Sequence, residues 1–153
     1  MKTLVLGLGN PILGDDSVGL RVTRALAGRF TSGEVIVLEA SLAGLNLLEL
    51  LPDFDKAIII DAIQTKKGKV GQIYRLEPEA FAPPNRLATS HNVDFTTVLE
   101  LGKKLGLSLP QQIVIFAIEV KNVTSFSEEC TPEVERAIPM VARMVMEELP
   151  TSS

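Results

Sequence analysis

Two stretches of this chain, KAIIIDA at 56–62 and QIVIFAIE at 112–119, are apolar at nearly every consecutive position. A strand that turns one face to water alternates apolar and polar residues. One without alternation is covered on both faces, as inside a parallel sheet flanked by helices. TLVLGLG at 3–9 reads as a buried strand and EVIVLEA at 34–40 as a further strand. Between the strands the apolar period becomes helical. Residues 17–30 align Val18, Val22, Ala25, Leu26 and Phe30, a short helix runs through AGLNLLELL at 43–51, and another covers roughly 92–105. The last helix has Thr131 at its N-cap, Pro132 in its first turn, and Glu133 and Glu135 at the positive end of its dipole. Its stripe of Val134, Ile138, Val141, Val145 and Leu149 would dock on the sheet. This alternation predicts one three-layer α/β/α domain with a mostly parallel, five-stranded twisted sheet. VGQIYRLE at 70–77 alternates, and is expected as an antiparallel edge strand paired to its predecessor through the TKKGK turn. Residues 1–150 are expected to form the single domain, with 151–153 a frayed C-terminus.

Composition narrows the function classes. The chain has 153 residues, 46% of them apolar, enough to fill one core. No apolar run approaches the roughly 18 residues of a membrane span, and the glycine-broken TLVLGLGNP does not make a leader-peptide core. The single cysteine, Cys130, excludes an internal disulfide and fits a reducing compartment, so a soluble cytoplasmic protein is expected. A net charge of −4 argues against nucleic acid as partner, and the one dense basic run, KKGK at 66–69, reads as a solvated turn.

In open α/β sheets ligands bind beyond the carboxyl ends of the strands. The polar residues expected there are Asp15 and Asp16 after the first strand, Glu39 and Ser41 after the second, Asp61 at the end of the third and Glu119 at the end of the fifth. The only histidine, His91, precedes the helix leading to that last strand. A dinucleotide site is excluded. GLGNPI has Ile12 where the third glycine of the fingerprint belongs, and Asp15 and Asp16 would stand where a pyrophosphate needs positive dipoles. Each residue also has an ordinary reading. One of Asp15 and Asp16 would cap the following helix, Asp61 would cap a turn, His91 would be structural, and Ser90 or Asn92 would cap the next helix. Gly7, Gly9 and Gly19 need only tight turns or close packing, and Cys130 is given no role. Taken together, two carboxylates and an imidazole at one edge suit a divalent metal such as nickel, zinc, manganese or iron. A carboxylate pair activating water directly fits the same residues.

The chain resembles the hydrogenase maturation endopeptidases, which trim the C-terminal extension from the large-subunit precursor of nickel–iron hydrogenases. The resemblance runs from LVLGLGNPILGDDSVGLRV through IIIDAIQTKKG and SHNVDF to CTPEVERAI, in that order and spacing. It implies that Asp16, Asp61 and His91 are the metal-contacting and catalytic residues, and that the metal is nickel carried by the precursor rather than held permanently. It also implies an aspartic-type grouping and a protein substrate, with no nucleic-acid or membrane partner and a monomeric state. Where members often have DGGT this chain has EASLAG, keeping Gly44, and Glu119 is followed by Val120 rather than proline. Peptidyl-tRNA hydrolases share the opening GLGNP, but in them a histidine follows soon after, where this chain has Asp15 and Asp16. A metal-dependent maturation chaperone using the same three residues without hydrolysis is the remaining alternative.

Overall fold

A computed structural model of the chain describes residues 1–30, 33–41, 47–82, 87, 94–121 and 126–149. Strands β1 (Thr3–Leu8), β2 (Val35–Ala40), β3 (Lys56–Ile63), β4 (Ile73–Leu76) and β5 (Gln112–Glu119) form one sheet, ordered β2-β1-β3-β5-β4. β1, β2, β3 and β5 are parallel, with Val5 opposite Val37 and Ile58, and Ile60 opposite Phe116. β4 runs antiparallel along β5, Ile73 opposite Ile118.

The unalternating runs occupy the centre, as their composition requires. β3 is buried at all eight positions and β5 at seven of eight. Helices α1 (Val18–Leu26) and α4 (Pro132–Glu148) cover one face, packing Val22, Leu26, Val134, Val141 and Val145 on Val5, Ile58, Ile60 and Phe116. Helices α2 (Leu47–Leu50) and α3 (Phe95–Lys104), with the 3-10 turn Pro78–Phe81, cover the other over Leu4, Leu6, Ile59 and Ile115. The three-layer α/β/α arrangement with a mostly parallel five-stranded sheet and an antiparallel edge strand is therefore present.

The edge strand does not pair with its predecessor. β5 lies between β3 and β4, so the segment after β3 crosses the carboxyl end of β5 before β4 begins. β4 instead pairs antiparallel along β5, with Ile73 opposite Ile118 and Leu76 opposite Ile115. Glu119 fastens the crossing, accepting from Thr65 N–H at 2.7 Å, Thr65 hydroxyl at 2.6 Å and Tyr74 hydroxyl at 2.9 Å. A β-carbon on Gly68 would stand 1.7 Å from that carboxylate, so a side chain there would displace Glu119 from its hydrogen bonds.

Other local expectations shift. α3 is capped by Asp94, whose carboxylate accepts from Thr97 N–H and the Thr96 and Thr97 hydroxyls. Those bonds hold its carboxyl below the ordinary range, and they replace the caps expected of Ser90 or Asn92, which lie outside the described residues. The expected frayed residues 151–153 and Gly44 also lie outside them.

Candidate functional site

The chain leaves β1 through α1 to reach β2 on one side, then returns across the other face to β3 on the opposite side of β1. The gap beyond the carboxyl ends of β1 and β3 is thus the topological switch point, the place where such sheets leave a ligand crevice. Two of the acids singled out from the sequence, Asp16 and Asp61, belong to these two strands and the turn after them. Asp16 sits in the 3-10 turn Gly14–Ser17 that follows β1. Asp61 lies within β3, one residue beyond Ile60, the last β3 residue paired to β1.

Glycine spacing brings the turn there. A β-carbon on Gly19 would stand 2.3 Å from the Leu8 carbonyl and 2.5 Å from that of Ile60. One on Gly7 would meet the Gly19 carbonyl at 2.3 Å. The start of α1 therefore rests backbone against backbone astride β1 and β3. The glycines that resemble a phosphate cradle serve close approach instead, and the turn they bring down carries Asp15 and Asp16.

The adjacent acids have different tasks. Asp15 is fully buried and accepts from Lys121 N–H at 3.0 Å, Thr131 N–H at 2.6 Å and the Thr131 hydroxyl at 3.1 Å. It does not cap α1. It ties the turn after β1 to the end of β5 and the start of α4, and Thr131 spends its hydroxyl on Asp15 rather than on capping α4. Asp16 is 5% exposed; its backbone carbonyl accepts from Asn10 N–H, closing the loop, and its N–H donates to the Leu13 carbonyl. Asp61 is fully buried, and its Oδ1 accepts from the Ala62 N–H at 2.8 Å. By strand alternation it shares a face with Ala57 and Ile59, the face covered by α2 and α3.

Of the other sequence candidates, Glu39 is exposed and pairs with Arg24 at 3.1 Å, and Glu119 holds the crossing segment. Cys130 is buried, with its Sγ 3.5 Å from Ser17 Oγ. Burial is the chief cause raising its thiol pKa, with Asp15 and Glu135 adding to it. It packs as a core residue. His91 lies outside the described residues, three positions before the Asp94 cap. Among the described residues no three His, Cys, Asp or Glu side chains converge as a metal-holding group.

Residues 20–148, well over half of the chain, match the family model for hydrogenase maturation protease, HycI. The chain belongs to the hydrogenase maturation protease family. The match includes Asp61 and His91 and begins four residues after Asp16. The chain is 38% identical to hydrogenase 2 maturation protease of Escherichia coli over 80 residues, a stretch covering 52% of this chain and 49% of that one. That alignment thus spans about half the length of the curated relative. Structural likeness is more extensive. The hydrogenase maturating endopeptidase HybD from E. coli superposes with a TM-score of 0.80 at 27% identity, over 96% of this chain and 91% of that one. A hydrogenase 2 maturation peptidase from a Thaumarchaeota archaeon gives 0.71 at 26% identity, over 99% and 100%. The overall fold is thus shared with these proteins. No described helix of this family member is long and apolar enough to cross a membrane.

Proposed function

We propose that this chain is an endopeptidase that removes the C-terminal extension of a nickel–iron hydrogenase large-subunit precursor after nickel insertion. The carrying observation is the pair of buried acids, Asp16 and Asp61, presented by the turn after β1 and by neighbouring β3 at the switch point of a family member. Such a place can admit a polypeptide's end while the sheet behind it stays rigid.

Asp16, Asp61 and His91 are assigned to the contact with the precursor's nickel. Two carboxylates and an imidazole form an incomplete shell, which would hold a borderline divalent ion only modestly. An ion already bound to ligands of the precursor supplies the rest, so the metal arrives with the substrate and marks it as ready. The aspartic-type grouping belongs to the same reading, with a carboxylate of the pair orienting the attacking water. Asp15 stays out of this contact, its carboxylate committed to Lys121 and Thr131. The buffering effect of three hydrogen bonds keeps the turn, and Asp16 with it, in one position.

The test compares nickel-loaded and metal-free precursor at equal concentration, with enzyme stripped of metal, reading product mass. Cleavage of the loaded form alone is expected. Equal rates would show that nickel is not the signal, and binding without any shortened product would favour the non-hydrolytic chaperone. The tRNA-esterase alternative has no support from the family match.

A further inference from the structure

Residues 12–14 and 127 are joined by a short parallel bridge with Leu13 opposite Ser127. The Ser127 N–H donates to the Ile12 carbonyl and the Gly14 N–H to the Ser127 carbonyl, both at 2.8 Å. The bridge brings the backbone of Ile12 alongside the Phe126–Ser127 segment, the Ile12 carbonyl accepting from the Ser127 N–H. Both apolar residues are exposed, Ile12 by 49% and Phe126 by 82%. Their exposure is held by a fixed backbone rather than by a loose end. Four residues after Ile12 comes Asp16, and five after Phe126 comes Thr131, which is bound to Asp15. Ile12 and Phe126 thus belong to the two segments that lead to Asp16 and to the Thr131 held by Asp15.

We propose that Ile12 and Phe126 form an apolar ledge that receives an apolar side chain of the substrate's extended segment next to the bond to be cut. The proposal rests on the endopeptidase reading. Size selects the occupant. A stable self-association buries about 800 Å² per partner, and two side chains fall far below that. An extended peptide is held by one or two anchored side chains beside its reacting bond, which two apolar groups can supply.

The test uses Phe126→Ser, Ile12→Ser and the conservative Phe126→Leu, with Leu105→Ser, exposed at the end of α3, as the control. Binding of nickel-loaded precursor to immobilised full-length enzyme is measured separately from single-turnover cleavage at saturating precursor. Phe126→Ser should weaken binding about tenfold, the scale of losing one buried aromatic contact. Its saturated cleavage rate should stay within about twofold, because the loss is uniform in ground and transition states. Phe126→Leu should restore most of the affinity, and Leu105→Ser should change nothing. Unchanged binding in both serine variants would overturn the ledge. So would light scattering that shows a wild-type dimer dissociated by Phe126→Ser, since the pair would then be a self-contact. Wild-type enzyme that binds precursor in a Phe126-dependent way without cutting it would overturn the endopeptidase reading and leave the ledge standing.

Discussion

The two ends of the sheet handle buried charge in opposite ways. At the amino end Lys56 is buried and donates to the Glu148 carboxylate at 3.1 Å and to the Glu148 backbone carbonyl at 2.7 Å. Arg75 closes on the other oxygen of the same carboxylate. At the carboxyl end lie four buried acids, Asp15, Asp16, Asp61 and Glu119. Asp15 and Glu119 are held there by backbone N–H and hydroxyl donors. One end neutralises charge with charge and contributes stability. The other gathers carboxylates at strand ends, where a cation-bearing ligand can meet them. Space alone would mislead, because a groove of about 620 Å³ lies at the amino end, lined by Glu77, Glu79, Lys103, Pro110 and Gln112 among others. It lacks the acids of the switch point.

The largest effects should come from the carboxyl end. Asp61→Asn and Asp16→Asn should each reduce precursor processing by more than about 100-fold, the loss seen even for outer partners of metal ligands. Both should remain folded by circular dichroism, the amide being nearly the same size as the acid. Near-normal processing by either would remove that residue from the site. Asp15→Asn should behave differently, destabilising the fold by about 3 kcal/mol in urea titration because it loses charge-assisted bonds and turns an amide N–H toward buried donors. An Asp15→Asn protein of full stability and no activity would place Asp15 at the chemistry instead.

At the amino end, Lys56→Met should cost about 2 kcal/mol, less than the usual broken buried pair because Glu148 keeps Arg75. Processing by the folded protein should be unaltered. The Arg75 hydrogen bond, aided by Lys56 and opposed by burial, holds the Glu148 carboxyl below its ordinary 4.5. The unfolded chain then takes up that proton first as pH falls. The stability this group contributes is whole above about pH 4.5 and disappears as pH drops through the lower folded value. An acid titration should show that loss in the wild type and a smaller one in Arg75→Ala. A loss of equal size in the two would contradict the assignment. Smallest of all, Arg24→Ala should change stability by at most about 0.5 kcal/mol, since both partners of the Arg24–Glu39 pair are largely in water.

Much of this architecture is readable along the chain. The unalternating runs of β3 and β5 demanded cover on both faces, and the helical stripes of α1 and α4 supplied it for one of them. Local composition put Asp16 just beyond β1, but Asp61, expected to close the third strand, lies inside β3, which continues to Ile63 because Ala62 and Ile63 still pair with β5. Strand partners were decided by tertiary structure. Insertion of β5 between β3 and β4 depends on pairing across about 50 residues of sequence, and no local turn signal carries that. The same holds for the division of labour between Asp15 and Asp16. They are neighbours of one chemical type, and only the arrival of Lys121 and Thr131, more than a hundred residues later, commits the first to structure. The segments of Ile12 and Phe126 are far apart in sequence until the bridge between Leu13 and Ser127 joins them. Periodicity along the chain determined which faces had to be buried, because burial is a property of each segment. Which segments met was decided by the packing of the whole, because hydrogen-bond partners and neighbours are properties of pairs.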